Sequence, residues 1–350
     1  MKDLADITMG QSPAGSSMNE RTGMEFHQGK TNFGSVFLNC SKVKTNAPTK
    51  MANKDDIVIC VRAPVGVVNI TNRKICIGRG LAALSPKELV DRDYLFYALQ
   101  ASQKAVEKLA AGSTFSSIPG PELCKLELPK QTYEKQKSIG RALSSADKAI
   151  AILEKQISKY ENIKKSTINL LLKPNKDWET VKIKDVFTVT RGLVLSTTEM
   201  SKHKTDKTPF PVYSSQTQNN GLIGFYSAFL YQDAITWTTD GANAGFVRFR
   251  PGKFYCTNVC GVLLSEKGHA NACIATILGS VSKKYVSYVG NPKLMNNVMA
   301  EIPISIPPID QQKQIAQKLS AIDEHISNLK LQLKKQQDLK QGLMQYFFGD

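Results

Sequence analysis

The chain has 350 residues and a formal net charge of +16, so it exceeds what one ordinary hydrophobic core serves and should divide into two or three domains. The basic excess points to a polyanionic partner, either nucleic acid or an anionic membrane surface. No uncharged apolar run reaches the about 20 residues that span a bilayer, and "MKDLADITMG" lacks the apolar stretch of a signal peptide, so a cytoplasmic protein is expected.

Taken in chain order, the first segment is β-rich. "KDDIVICVRAPVGVVNI" (54–70) reads as two strands about a polar and glycine turn, and "CIGRGLAALS" follows. "DRDYLFYALQASQKAVEKL" (91–109) reads as helix. "LELPKQ" then leads into a long helical segment, which Lys173-Pro174-Asn175 closes. The same plan begins again. "YQDAITWTTDGANAGFVRF" (231–249) parallels the first strand pair, and "CTNVCGVLLS" parallels "CIGRGLAALS" with Cys76 over Cys256 and Ser85 over Ser265. A short helix is expected over 270–278, and "IPISIPPID" opens a second long helix.

Shifted by 176 residues, the two long segments share eleven identities, among them Gln136 over Gln312, Leu143 over Leu319, Asp147 over Asp323 and Lys164 over Lys340. Such self-similarity marks duplication. Ile315, Leu319, Ile322, Ile326, Leu329 and Leu333 alternate steps of four and three, the seam of a coiled coil; Ile139, Leu143, Ala146, Ile150, Leu153 and Ile157 repeat it. Beyond Ile157 and Leu333 the strict period puts Tyr160 and Lys164, or Gln336 and Lys340, on the core face, with Ile163 and Leu339 just beside it. A drift of register is expected there. At about 1.5 Å per residue, each segment makes a rod of roughly 55–60 Å.

The predicted fold class is therefore α+β: two globular units alternating with two long helices that pair as an antiparallel coiled coil, an internal pseudo-two-fold repeat. The rods would hold the globular units apart. Neither rod has the basic face opposite bulky aromatics that a membrane-surface helix needs, which favours nucleic acid over lipid. Leu171, Leu172, Phe347 and Phe348 would be costly if left wet, so they are expected to pack against the other globular unit or a docked subunit.

These residues resemble the specificity subunit of type I restriction-modification systems along essentially the whole chain. "LADITMGQSPAGSSMN" is similar to the start of that family's first target-recognition domain, and "DIVICVRAPVGVV" resembles its "GDILISRSGTIG" stretch. "GSTFSSIPGPELCKLELP" and "EIPISIPPIDQQKQIAQKLSAIDEHI" resemble the exits into its two helical regions, while "FPVYSSQTQNNGLIGFY" and "WTTDGANAGFV" resemble a different recognition-domain subfamily. The resemblance implies target-recognition domains over 1–128 and 175–306, and helical regions over 129–174 and 307–350. It implies a non-catalytic chain in which each recognition domain reads half of an interrupted DNA target, while the helices set the gap and dock two modification (methyltransferase) subunits. Restriction subunits would add ATP-dependent cleavage, and S-adenosylmethionine, ATP and Mg would sit on those partners, with no cofactor on this chain. One departure is that "MKDLADI" starts several residues short of the "W-x-x-V-x-L" lead that "DWETVKIKDV" supplies to the second unit. This implies a minimal N-terminal edge, a clipped chain or an unusual start site.

The motifs that would carry chemistry are missing. There is no Asn/Asp-Pro-Pro-aromatic motif for a flipped adenine, and no "GxxxxGK[ST]" phosphate loop. "GRG" at 78–80 is a lone glycine pair. Of seven cysteines, most lie in apolar runs and read as reduced core residues. Cys256 and Cys260 have no second pair at ligand spacing, and the four histidines are scattered, so no metal is expected.

For reading DNA, the useful side chains are Arg and Lys to guanine, Asn and Gln to adenine, and Ser or Thr to either. In the first unit these are Gln11, Ser12, Arg62, Arg79, Ser113 and Thr114; in the second they are Arg191, Ser214, Ser215, Gln216, Asn219, Asn220, Asp240 and Asn243. The plainer reading is that Asn, Gly, Ser and Asp form turns, and Arg62 and Arg191 equally suit a carboxylate or a phosphate. The Lys-rich tracts "KKSTINLLLKPNK" and "KLQLKKQQDLKQ" suit phosphates but read better as solvated faces. Asp147 and Asp323, the candidate partner-binding pair, either bond a partner helix or face water. Two other functions compete with a specificity subunit: a stand-alone methyltransferase or nuclease, disfavoured by the missing motifs, and a tandem coiled-coil adaptor that binds DNA without reading sequence.

Overall fold

The computed structural model describes residues 1–110, 117–215 and 218–349. They divide into two units, Met1–Lys155 with Lys330–Asp350 and Gln156–Leu329. The chain order of the first is β1 (Ala5–Met9), β2 (Met18–Asn19), β3 (Met24–His27), β4 (Lys44–Thr45), β5 (Met51–Ala52), β6 (Ile57–Cys60), β7 (Val68–Ile70), β8 (Ile75–Ile77), β9 (Leu81–Pro86), α1 (Arg92–Ala101), α2 (Gln103–Ala110), α3 (Gly120–Cys124) and α4 (Tyr133–Leu171). After α4 come β10 (Glu179–Lys182), α5 (Ile183–Val186), β11 (Thr188–Arg191), β12 (Phe210–Tyr213), β13 (Leu222–Tyr226), β14 (Tyr231–Thr238), β15 (Val247–Cys256), β16 (Cys260–Leu264), α6 (Ala272–Val281), α7 (Asn296–Glu301), β17 (Pro303–Ile306) and α8 (Ile309–Phe348). The helices α4 and α8 each run through both units.

In the first unit β1-β9-β6-β7 form one sheet and β2-β4-β3-β8-β5 a second. All of β6 is buried, which explains its unbroken apolar run. Ile57 and Ile59 face α1 in one core, while Val58 and Cys60 join Ile75, Ile77 and Leu81 in another. The second unit carries a six-stranded sheet, β11-β16-β14-β15-β12-β13. Ile235, Trp237 and Leu263 pack with α6 on one face, and Ala234, Phe254, Cys256 and Val262 on the other. The helix expected over 91–109 is two, broken at Ser102, and the one expected over 270–278 lies at Ala272–Val281.

Each helix that follows a sheet is tied to a rod in the same way. Asp91 caps α1 by accepting the Tyr94 N–H, and Asn271 caps α6 by accepting the Ile274 N–H. The Asp91 N–H donates to Gln136 Oε1 at 2.9 Å, and Asn271 Nδ2 donates to Gln312 Oε1 at 3.0 Å. The two glutamine amides also donate to the carbonyls of Gln131 and Pro307, which stand at the same 176-residue shift.

The rods pair antiparallel within each unit. In the first, Lys340 Nζ meets Asp147 Oδ1 at 2.6 Å; in the second, Lys164 Nζ meets Asp323 Oδ1 at 2.5 Å. Seam residues Ile139, Leu143, Ala146, Leu153, Ile157, Ile315, Leu319, Ile326 and Leu329 are buried. The expected drift of register does not occur. Tyr160, Lys164, Gln336 and Lys340 stay half-buried on the seam, and Ile163 and Leu339 are exposed. A lysine stem can cover apolar surface while its ammonium reaches a carboxylate, so the two lysines hold the period that their charge was expected to break. Phe347 and Phe348 pack into the core that holds Tyr94, and Leu171 and Leu172 into the core built on α6, as their need for cover required.

Candidate nucleic-acid interface

In the first unit Met9 pairs with Ala82 and Cys60 with Leu81, so the segments leaving β1 and β6 and entering β9 meet at one strand end. Gly10 N–H donates to Leu81 O at 2.9 Å, Gln11 N–H to Ile77 O at 3.0 Å and Val61 N–H to Gly80 O at 2.9 Å. This brings together Gln11, Ser12, Arg62 and Arg79. Gln11, Arg62 and Arg79 are exposed and Ser12 is half-buried, its Oγ accepting the Arg79 N–H at 3.4 Å. Arg62 is bridged to Ser117. Ser113 and Thr114 lie outside the described residues, as does Gln216.

The second unit repeats the construction. Arg191 pairs with Gly261 and Thr238 with Cys260. Gly192 N–H donates to Cys260 O at 3.0 Å and Leu193 N–H to Cys256 O at 3.2 Å. Gly10 and Gly192 thus occupy one structural position. A Cβ on Gly10 would lie 2.2 Å from Gly78 O, and one on Gly192 2.2 Å from Cys256 O. Both turns need a residue without a side chain there.

At this second strand end stand Arg191, exposed, with Asn243, exposed, and Asp240, half-buried and accepting from Thr239 Oγ1 at 2.8 Å. Ser214 Oγ accepts from Thr257 Oγ1 at 3.0 Å, and Ser215 O accepts from Thr238 Oγ1 at 3.4 Å. Asn219 and Asn220 are exposed with φ of 48° and 54°. Their turn conformation is itself a reason for asparagine there.

Two residues absent from the sequence-derived set stand on β15, and one of them, Arg250, lies beneath this loop. Arg250 is 7% exposed; its Nε donates to Thr236 Oγ1 at 3.1 Å, its Nη1 to Asn220 O at 2.6 Å, and its guanidinium lies 3.8 Å from the Tyr213 ring centre. Burial lowers its pKa below the ordinary arginine value. Arg248 lies over Phe246, and its Nε is buried without a partner among the described residues. The signal available was "VRFR": two arginines at a spacing of two share one face of a strand.

Asp147 and Asp323 sit on the rods, away from both strand ends. Each bonds a lysine of the other rod, and Asp147 also accepts from Tyr97 Oη at 2.7 Å. Burial, then the Asp147 hydrogen bond, raises the Tyr97 pKa. Of the cysteines, Cys60, Cys76, Cys256, Cys260 and Cys273 are buried and free, with burial pushing the Cys60 and Cys260 thiols up to about 11. Cys40 is exposed and Cys124 half-buried, so the core reading holds for five of the seven and not for these two. Among the described residues no helix is long and apolar enough to cross a membrane, and no three His, Cys, Asp or Glu form a metal-holding group.

A family model described as the type I restriction modification DNA specificity domain matches residues 1–162 and again 175–337. A protein of Methanocaldococcus jannaschii named as a type I restriction enzyme specificity subunit is 44% identical over 168 residues, 47% of this chain and 39% of that protein. The type I restriction enzyme MpnII specificity subunit of Mycoplasma pneumoniae is 30% identical over 203 residues, 57% of this chain and 59% of that protein. In both cases less than two thirds of the relative is spanned. The crystal structure of the type I restriction-modification system S subunit from M. genitalium superposes with a TM-score of 0.78 at 18% identity, covering 99% of this chain and 94% of that one, so the fold is shared.

Proposed function

The chain belongs to the family of type I restriction-modification DNA specificity domains, matched once in each half, and from that premise we propose that it is the sequence-reading subunit of a DNA methyltransferase and restriction complex. Each unit reads one half of an interrupted duplex target. The paired rods set the gap and dock two modification subunits, and restriction subunits complete the assembly. Catalysis, with its S-adenosylmethionine, ATP and Mg, belongs to those partners; this chain binds and positions. Asp147 and Asp323 shape the rod surface on which the modification subunits dock.

One observation carries the reading. Both units bring polar and basic side chains to the same strand end through the same backbone bonds, yet the side chains differ: Gln11, Ser12 and Arg79 in one, Arg191, Asp240 and Asn243 in the other. A common frame with different reading groups is what two unlike half-sites require, since base contacts specify and phosphate contacts only position. The test is single-molecule sequencing of methylated adenines in cells carrying this chain with its neighbouring methyltransferase gene, against cells lacking only this chain. A two-part motif with a fixed gap should vanish with the chain. An unchanged pattern would overturn the reading.

A further inference from the structure

The second unit has an apolar tip that the readings above leave unused. Ser287 and Lys293 exchange backbone hydrogen bonds, Ser287 N–H to Lys293 O at 2.8 Å and Lys293 N–H to Ser287 O at 2.9 Å, closing the loop 288–292. Its base is anchored on the sheet. Gly241 N–H donates to Pro292 O at 2.9 Å, Leu294 N–H to Thr239 O at 2.9 Å, and the buried Trp237 Nε1 to Leu294 O at 2.9 Å. At the tip, before Gly290 with φ of 74°, Tyr288 is 69% exposed and Val289 93% exposed. A firmly tied loop that holds two adjacent apolar side chains largely in solvent is built to meet something.

Three facts say what. The loop leaves the sheet beside Asp240, which is bridged to Lys293, and so stands at the strand end that carries Arg191 and Asn243. In the first unit Ile118 N–H donates to Val61 O at 2.9 Å and Arg62 is bridged to Ser117; the Leu294 and Lys293 contacts occupy the same slot. That slot is therefore part of the reading edge in both units. Finally, Lys283, Lys284 and Lys293 flank the loop, all exposed, which suits a polyanion. Apolar side chains held against duplex DNA find one complementary group in the major groove, the 5-methyl of thymine.

We propose that Tyr288 and Val289 form a reading tip that packs on a thymine 5-methyl group in the half-site of the second unit. This rests on the DNA-reading function above. The test uses the full chain with its methyltransferase subunits and duplexes carrying the mapped target, each thymine of that half-site replaced in turn by deoxyuridine, which deletes only the methyl. One replacement should weaken binding by about fourfold, the worth of about one buried methyl. In Val289→Ala or Tyr288→Ala, affinity for the unmodified target should fall by a similar factor and the sensitivity to that replacement should disappear, with the salt dependence unchanged. The proposal is overturned if the wild type ignores every replacement, or if the variants keep the full penalty. It is equally overturned if the variants change only the salt dependence, which marks a backbone contact, or only the binding of methyltransferase subunits, which marks a protein contact. If the wild type shows no preference for the mapped target over unrelated duplex, the DNA-reading function fails itself; specific binding with an indifferent loop removes the tip alone.

Discussion

Asp147 and Lys340 lie 193 positions apart in the chain, with their charged atoms 2.6 Å from each other. Shifting each by 176 residues along the repeat gives Asp323 and Lys164, which meet at 2.5 Å. One duplicated pair thus pins both halves of the coiled coil, but in unequal settings. The Asp147 side chain is 13% exposed and also holds Tyr97, whereas Asp323 is 52% exposed. Asp147→Asn should therefore destabilise the first unit by about 2 kcal/mol, because the nearly buried carboxylate that both Lys340 and Tyr97 bond loses its charge. Asp323→Asn should change stability by less than about 1 kcal/mol, as an exposed pair does. Urea unfolding of the two variants measures the difference, and equal effects would contradict it.

Gln136 and Gln312 are 6% and 0% exposed, each lying at the start of a rod and bonded to the residue that caps the neighbouring helix. Gln312 serves more groups, with His269 Nδ1 3.1 Å from its Nε2 as well as Pro307 O and Asn271. Replacing it by Leu keeps the volume but strands buried polar atoms, at about 1–3 kcal/mol. Gln312→Leu should lower the melting temperature more than Gln136→Leu, by thermal unfolding followed at the helix band.

Much of this was legible because the repeat is carried by residues whose spacing has a physical meaning. The seam leucines and isoleucines sit on one stripe, and the two rods follow from them. The register at Lys164 and Lys340 was misjudged because a single segment shows a lysine at a core position and not the aspartate waiting on the other helix. The strand ends were legible as turns, but which side chains gather there depends on strand pairing, which turn composition does not encode. Arg250 was missed because a strand arginine is ordinarily exposed, and its burial under the turn at Asn220 depends on tertiary contacts.

The first unit should be sensitive to acid. Burial would raise the Glu25 pKa, yet the hydrogen bonds from Arg73, from the Ser41 N–H and from His27 prevail and bring it from 4.5 to about 2. The folded value is depressed, so the stabilisation is complete above about pH 4.5 and is lost as pH falls towards 2. Its size is at most on the order of 3 kcal/mol. Burial also depresses the His27 pKa below 6.5, so this histidine contributes a loss in the same direction at higher pH. Glu25→Gln should flatten the pH dependence of unfolding between pH 4.5 and 2 while lowering stability at pH 7. A dependence unchanged by the substitution would place the acid sensitivity elsewhere.

If the rods set the gap between half-sites, their length should be readable in the target. One added helical turn lengthens a helix by about 5.4 Å, and duplex DNA rises by about 3.4 Å per base pair. Inserting four residues into α4 should therefore widen the gap in the methylated motif by about one or two base pairs. The half-sites should stay the same, because the residues gathered at the two strand ends belong to the sheets and not to the rods. Methylated-adenine sequencing of cells carrying the insertion reads both quantities at once. An altered half-site beside an unaltered gap would mean that the rods act on recognition rather than on spacing.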